Sequence, residues 1–580
     1  MFPGTRLIRL FAAGAVIVSG IAATIGLGIA GVGATSYLPI AGQTLPAVVA
    51  TAQRLSPEPT GKILDIAVGL NPRSETQLVA AIQAMYTPGS PTYKHYLTPA
   101  QFTARFAPTV AEYNAVLSYL RRAGLTITGT WPNRMLVEAS GSIAQIDRAF
   151  HVTISDYRDT YTGMIFYAND RVPSVPASLA SLISGVAGLT NLDQRHPMFV
   201  RQFARAHTPN LLPTPYTPQQ MERGYNATPL ILDGQGGNGQ TTSILAEGNF
   251  AKHGPSDLAQ FENTYHLPHV PVTIIGSSND NSLNLIEPAI DTQWSTSMAP
   301  NLASLRIYIA KNLLNSSFVE MENTWVNDPN AGAVASESYG ECETIDPTIK
   351  LENHIFMQAA LEGRSVFISA GDQDAPECGT APNVQPGDSA MASSPWVTAA
   401  SGTTLVLNSN GTYAGETVWN GVCGGGAPCG TGGAPSLVFP EPSYQKGISI
   451  IDQTGMRGVG DLAADADPNS GVDVVFDGHL IGQFGGTSLS APLLNGMFSD
   501  INSALAVNSK PAVGFANPAL YEIGESRLAG LAYHDVTVGN NYYPGTSSPG
   551  DGYFAGAGWD FPSGWGSPNT ARLALLFINK

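Results

Sequence analysis

Ser488 stands in Gly486-Thr-Ser-Leu-Ser-Ala-Pro492, a glycine turn that runs into small apolar residues. Glycine lets a backbone turn tightly beneath a bound substrate. A helix started after Ser488 aims its free N–H groups at any negative charge that develops beside the hydroxyl. This is a setting for a nucleophilic serine, and such a serine needs a base. The chain has ten histidines, and none lies in a His-Gly-Thr context; the nearest is His253-Gly254-Pro255. The base is therefore sought among carboxylates. Glu287 and Asp291, in Glu-Pro-Ala-Ile-Asp, are four residues apart, which puts both on one face of a helix. Pro288 suits a first helical turn, so Glu287 opens that helix. Val366-Phe-Ile-Ser-Ala-Gly-Asp372 reads as a buried strand ending in a glycine turn with a carboxylate at its tip. Asp also forms turns after glycine, and Asp374 lies two residues on, so Asp372 has a structural reading beside the catalytic one.

A carboxylate is a poor base near neutral pH, because its ordinary pKa of about 4.3 lies far below that of a serine hydroxyl. In acid it becomes useful, where histidine is already protonated. Two carboxylates in contact titrate as a pair with one pKa raised. That pairing places any acyl transfer by Ser488 in acid, with a bell-shaped pH profile.

The elements that must position them follow from about Thr217 onward. Thr242–Leu245, Ala303–Ile309, Ala333–Ser338, Ser365–Ile368 and Trp396–Ala399 are predicted strands. Pro255–Tyr265, Thr292–Ala299, Lys350–Leu361 and the stretch after Ser488 are predicted helices. Alternation of this kind is an α/β pattern, a parallel sheet covered by helices. Such sheets carry their sites at the carboxyl ends of the strands, where Asp372 falls. Between about Thr60 and Leu192 the pattern changes. Strands are predicted at Lys62–Val68, Met135–Ala139, Val152–Tyr157 and Met164–Tyr167, and helices at Ser74–Tyr86, Val110–Ala123 and Ile143–Phe150. That mixture is a small α+β domain.

Three carboxylates and a serine with no histidine, in the order Glu287-x-x-x-Asp291, Ser-Ala-Gly-Asp372 and Gly-Thr-Ser488, resemble the sedolisin family of serine-carboxyl peptidases. A C-terminal pattern, Asp535-Val536 and Gly556-Ala-Gly558-Trp-Asp560, adds to the resemblance. It implies a subtilisin-like catalytic domain with Ser488 as nucleophile, Glu287 as general base, Asp291 as its orienting partner and Asp372 as oxyanion donor. Ser338-Tyr339-Gly340 would be the substrate-binding strand, pairing with an extended peptide. Tyr339 stands where tryptophan is expected, and Glu337 beside it is also unexpected. Glu247 matches a glutamate that lengthens the proton relay in some members; a surface carboxylate at a strand end is the alternative. One Ca²⁺ is implied, held by Asp535 and Asp560 and by the carbonyls of Val536, Gly556 and Gly558, a hard all-oxygen set. The N-terminal third, including Ser90-Pro-Thr-Tyr-Lys-His-Tyr-Leu-Thr98, resembles that family's propeptide. It would be a ferredoxin-like domain acting as inhibitor and chaperone; an unrelated binding domain is the alternative.

The implied organisation is a signal peptide or membrane anchor over 1–34, a propeptide over 45–192, a linker with the maturation site over 193–215 and a peptidase domain from about 208 to 580. Arg6 and Arg9 precede an apolar run from about Leu10 to Ala34, the order of a secretory signal. The run is long enough that an uncleaved anchor is the rival reading. The linker gathers Arg195, His196, Arg201, Arg205 and His207 before a set of prolines, so it is expected to be exposed and cut on maturation. The four cysteines, Cys342, Cys378, Cys423 and Cys429, suit two disulfides in an exported chain. Cys423 pairing with Cys429 leaves Cys342 with Cys378, although three connectivities are open. Charged residues are 13% of the chain and the net charge is −17, which argues against nucleic acid as a partner. The expected protein is a secreted, monomeric enzyme with polypeptide substrates and its own propeptide as partners. A tripeptidyl exopeptidase of the same family, a catalytically silent binding relative and an esterase on Ser488 are the alternatives.

Overall fold

Ile63–Leu70 (β1), Thr126–Thr130 (β2), Leu136–Ser142 (β3) and Ile183–Ala187 (β4) form an antiparallel sheet in the order β2-β3-β1-β4. The helices Glu75–Tyr86 (α1), Val110–Arg122 (α2) and Ile143–Phe150 (α3) connect them. This is the expected ferredoxin-like order, one strand–helix–strand unit interleaved with another. Val116, Leu117 and Leu120 of α2 and Ile143, Ile146 and Phe150 of α3 close a core over Leu64, Ile66 and Val68. Leu78, Ile82 and Met85 of α1 instead pack against Met357, Leu361 and Phe515 of the larger region that follows. Two short strands come next, His196–Pro197 (β5) and Val200–Arg201 (β6). The computed structural model describes residues 36–201, 214–278, 286–378, 387–423, 426–546 and 550–580. The apolar N-terminal run, Arg205 and His207 lie outside those residues. Among the described residues no helix is long and apolar enough to cross a membrane.

The larger region is built on Thr241–Glu247 (β7), Val272–Gly276 (β8), Ser304–Ala310 (β9), Val334–Glu337 (β10), Tyr339–Gly340 (β11), Ser365–Ser369 (β12), Thr398–Leu407 (β13), Tyr413–Val418 (β14) and Leu462–Asp465 (β15). The sheet order is β8-β9-β7-β10-β12-β13-β14, with β15 also beside β13. All pairings are parallel except β13 with β14. Val472–Phe476 (β16) and His479–Gly485 (β17) form a separate antiparallel pair. The covering helices are Phe250–Tyr265 (α4), Ile286–Met298 (α5), Asn315–Asn327 (α6), Ile349–Leu361 (α7), Thr487–Val507 (α8) and Thr570–Ile578 (α9). Strand β12 shows the two layers: Val366 and Ile368 join the core with Phe318, Trp325 and Phe356, while Phe367 faces the other way against Phe498 of α8.

Three boundaries differ from the sequence reading for physical reasons. Helix α5 starts at Ile286, where the Glu287-Pro288 reading puts its entry and ahead of the Thr292–Ala299 run read from periodicity; every residue from Glu287 to Met298 is buried, so no amphipathic stripe marks its first turn. Helix α4 starts at Phe250 and keeps Pro255 inside it. Strand β13 continues past Ala399 because Gly402 lies against Ala466 and Trp419, where a Cβ would come within 2.6 Å of the alanine; glycine here permits close packing rather than ending the strand.

The N-terminal region docks on α6 and α7. Trp131 Nε1–H donates to Thr324 Oγ1 at 3.0 Å, and the Asn133 amide donates to Asn323 at 2.7 Å and to Gln358 at 2.9 Å. The Tyr86 hydroxyl donates to the Ala360 carbonyl at 2.7 Å, and Lys311 pairs with Asp65 at 2.7 Å.

Among the described residues the interior holds carboxyls that form no ion pair with a cation. Asp500, on α8, is fully buried with neither oxygen hydrogen-bonded, and burial together with Glu222 pushes it well up. Burial takes Glu222 up to about 7 and holds Asp465 well above the ordinary range. In the unfolded chain such groups lose their protons near pH 4, so between about 4 and 7 the folded chain binds more protons than the unfolded one. By linkage, stability then falls as pH rises through that window. The thermal midpoint of the Ser488→Ala variant, followed by scanning calorimetry, is expected to be highest near the acid end and to fall steadily toward neutrality. A midpoint that rises over the same range would contradict this assignment.

Candidate active site

Glycine geometry sets the two turns of the site. Gly371 (φ +121°) ends β12 and delivers Asp372; Gly486 (φ +99°) ends β17 and delivers α8, with Ser488 in its first turn. The two turns are tied together. Thr487 donates to Asp372 Oδ1 through its N–H at 2.7 Å and its hydroxyl at 2.8 Å, and the Gly371 N–H donates to Thr487 Oγ1 at 3.2 Å. Asp372 thus caps α8, where a carboxylate is favoured by the exposed N–H groups. Burial nonetheless pushes it up to about 7, against the pull of the Thr487 bonds. Its Oδ2 carries no hydrogen bond.

Helix α5 brings Glu287 and Asp291 to the same place, both with 0% exposure. The Ser338 hydroxyl donates to Asp291 Oδ1 at 2.6 Å, and the Ser488 hydroxyl donates to the Ser338 carbonyl at 3.3 Å. Burial, then the charge of Asp291, push Glu287 well up; the neighbouring Ser488 hydroxyl opposes them, and Asp372 adds to them. Burial likewise raises Asp291, against the Ser338 bond. Three carboxyls and one serine therefore meet in a water-poor site. Glu247, at the end of β7, is buried rather than exposed, and accepts from the Ser278 hydroxyl at 2.6 Å. The Tyr339 hydroxyl donates to the Glu247 carbonyl at 2.8 Å, and burial with the charges of Glu287, Glu247 and Asp291 pushes that hydroxyl well up.

The stretch expected to be an exposed linker is not exposed at its start. Asp193, Arg195 and Met198 are buried, because 194–201 lies extended across the site. β5 pairs antiparallel with β11, joining His196 to Gly340, and β6 pairs with β17, joining Val200 to Gly485. The Met198 N–H donates to the Ser338 carbonyl at 3.0 Å, and the Ser488 N–H donates to the Met198 carbonyl at 2.8 Å. A Cβ at Gly486 would lie 2.4 Å from the Met198 carbonyl oxygen, 2.6 Å from Asp372 Oδ2 and 2.7 Å from Phe199 Cα, so these atoms crowd one point. Upstream, the Arg195 N–H donates to the Leu313 carbonyl at 2.9 Å. The Arg195 side chain pairs with Glu322, Glu337 and Glu352, of which only Glu337 drew notice in the sequence. Glu322 and Glu352 sit on helices buried almost all round, where no polar face sets a functional carboxylate apart.

Asp535 and Asp560 converge on one curled loop. The Gly558 N–H donates to Asp535 Oδ2 at 3.0 Å and the Gly556 N–H to Asp560 Oδ2 at 2.8 Å. Burial pushes Asp560 up to about 7, and the like charge of Asp535 adds to it. Two carboxylates facing each other across glycines fit an oxygen-ligated cation. Among the described residues no group of three or more His, Cys, Asp or Glu side chains is arranged to hold a metal, so a cation here would depend on main-chain carbonyls as well. Cys342 is bonded to Cys378 and Cys423 to Cys429, the favoured pairing.

The family model of the pro-kumamolisin activation domain matches residues 50–192. The chain is 33% identical over 542 residues to sedolisin of Pseudomonas sp. (strain 101), covering 89% of this chain and 87% of that one. It is 31% identical over 512 residues to kumamolisin of Bacillus sp. (strain MN-32), covering 84% and 87% respectively. The solved structure of Pseudomonas sedolisin, a serine-carboxyl proteinase complexed with two molecules of pseudo-iodotyrostatin, superposes with a TM-score of 0.56 at 32% identity, covering 64% of this chain and 99% of that one. A histidine-free serine site on a parallel sheet, an N-terminal region that matches an activation domain, and identity sustained over most of both chains lead to one assignment: the chain belongs to the sedolisin family of serine-carboxyl peptidases.

Proposed function

We propose that the chain is the precursor of an exported, acid-acting endopeptidase that processes itself, with Ser488 as nucleophile. The observation that carries the reading is the peptide bond after Met198. Its carbonyl rests on the Ser488 N–H and the Met198 N–H on the Ser338 carbonyl, with the Asp372 carboxyl at the same point. This is how a substrate bond would be held for attack. Extended chain continues on both sides, from the bridge of Gln194 with Leu314 to the pairing of Arg201 with Phe484. A cleft that takes more than three residues ahead of the bond favours internal cleavage over removal of tripeptides.

The chemistry follows from the residues. Ser488 Oγ attacks the carbonyl carbon while Glu287 takes its proton. Asp291, beside Glu287, shares that proton and keeps the pair singly charged through the acid range. Negative charge gathers on the carbonyl oxygen, which the Ser488 N–H and the protonated Asp372 stabilise. Glu287 returns the proton to the leaving amine, and water then cleaves the acyl-enzyme by the same route. Burial suits these carboxyls to such chemistry, because it raises Glu287 toward usable basicity and keeps Asp372 protonated up to about pH 7. Glu247 lies beside Tyr339 as an outer member of this acidic set.

The region over 45–192 acts as inhibitor and folding aid, and the bond presented, Met198–Phe199, is the first maturation bond within 193–215, followed by trimming toward about 208. Export is supported by the Arg-then-apolar N-terminus and by two disulfides, which persist in oxidising compartments. Asp535 and Asp560, with the carbonyls of Val536, Gly556 and Gly558, would hold one Ca²⁺, which when bound supplies charge neutralisation to that loop.

Purified precursor brought from neutral to acid pH is expected to trim itself and digest a denatured protein, while Ser488→Ala and Glu287→Ala precursors stay full length and inert. Full activity in Glu287→Ala would sink the carboxylate-base mechanism. Asp372→Ala is expected to lower kcat by about 10² to 10³ with little change in KM, and wild-type activity to fall as pH rises through about 7. Chelator treatment is expected to lower the thermal midpoint of the Ser488→Ala chain, with Ca²⁺ restoring it, and the Asp560→Ala variant should not respond to either; an unchanged midpoint would remove the calcium assignment.

A further inference from the structure

Arg195 is a buried cation that none of the catalytic steps uses. Its guanidinium pairs with Glu322 at 2.7 Å, with Glu352 at 2.9 Å and with Glu337, all four side chains being 0–1% exposed. Asn315 Oδ1 accepts from its Nε at 3.1 Å and from Nη2 at 3.0 Å, and the Phe318 ring lies beneath it at 4.4 Å. Glu341 stands close enough to act on it electrostatically, and neither of its buried oxygens has a hydrogen-bond partner. These carboxyls belong to α6, β10, α7 and the stretch after β11, so they remain with the peptidase when the N-terminal region leaves. Arg195 is the fourth residue ahead of the Met198–Phe199 bond. Main chain fixes its place: its N–H is held by Leu313 on one side of the cleft, while Met198 is held by Ser338 on the other.

Removing Arg195 leaves carboxyls out of water with no counter-charge, which is costly unless a cation or protons replace it. We infer that Glu322, Glu337 and Glu352, with Asn315 and Phe318, form a specificity subsite of the mature enzyme that selects arginine four residues before the cleaved bond. The inference rests on the peptidase reading above. Arginine fits better than lysine because one guanidinium offers its N–H groups to several carboxylates and an amide oxygen at once and lies over the phenylalanine ring. A neutral residue of the same shape forfeits the charge-assisted bonds to these carboxyls.

The test uses mature wild-type enzyme and internally quenched peptides with the sequence of residues 194–201, in which position 195 is arginine, lysine, citrulline or alanine. At the pH where the alanine peptide is cut fastest, kcat/KM for arginine is expected to exceed that for citrulline, its neutral isostere, by about tenfold or more. In Glu352→Gln the same arginine-to-citrulline ratio, read within one protein, is expected to narrow. Equal rates for arginine and citrulline in wild type would overturn the subsite. If wild type cuts none of the peptides, the alanine one included, the peptidase reading fails and the subsite falls with it.

Discussion

Withdrawal of carboxyl groups from water is the condition on which this site depends. A carboxylate in bulk water is too weak a base for serine and would repel an oxyanion. The fold changes both facts by burial: Glu287 and Asp291 lie on a helix that is enclosed along nearly its whole length, and Asp372 is wedged between two glycine turns. The low dielectric lifts all three, and their closeness lifts Glu287 further. On the proposed mechanism no histidine is needed, because solvent exclusion supplies the shift in basicity that imidazole would otherwise bring.

Such a site has to be built on rigid supports, and helices α5 and α8 supply them. Ile290, Trp294 and Met298 of α5 pack with Leu489, Leu493 and Met497 of α8 in one core, so Glu287 and Ser488 are set against each other by apolar packing. Trp294 Nε1–H also donates to the Asp473 carbonyl at 3.0 Å, fixing the rotation of α5. At the head of α8 the Thr487–Asp372 bonds lock the third element to the second. Around Arg195 the cost of burying acid is offset by ion pairs, but at Glu287, Asp291 and Asp372 it is offset by packing and by protons, which suits the chain's stability to acid.

Much of this was legible in the residues. Gly-Thr-Ser488, Glu287-x-x-x-Asp291 and Ser-Ala-Gly-Asp372 each carry local geometry, and local geometry is what spacing encodes. The ferredoxin-like region was legible for the same reason: α3 spans Ile143–Phe150 as read, with its apolar side turned to one core. What escaped was decided by long-range burial. A linker rich in arginine and proline looks exposed, and only a partner some hundred and twenty or more positions away, Glu322 or Glu337, reveals that Arg195 goes inside. The entry of helix α5 was legible from Glu287-Pro288, whereas periodicity placed it only from Thr292, because a helix buried on every side has no polar face to delimit it. Strand β13 ran on through Gly402 because its neighbours, not its own sequence, required a missing side chain.

Whatever enters the cleft must meet it in a particular physical state. Residues 194–201 are gripped from two sides, by Leu313 and Leu314 along one edge and by Ser338 to Gly340 along the other, through main-chain N–H and carbonyl groups. A chain can satisfy both edges only if its own backbone groups are free, and in a helix or a sheet they are already engaged. The groove therefore reads foldedness before it reads side chains: native proteins are refused until some stretch of them comes undone. On the proposed acid-acting reading, an acidic surrounding that loosens other proteins while it suits this one opens the prey and arms the enzyme together.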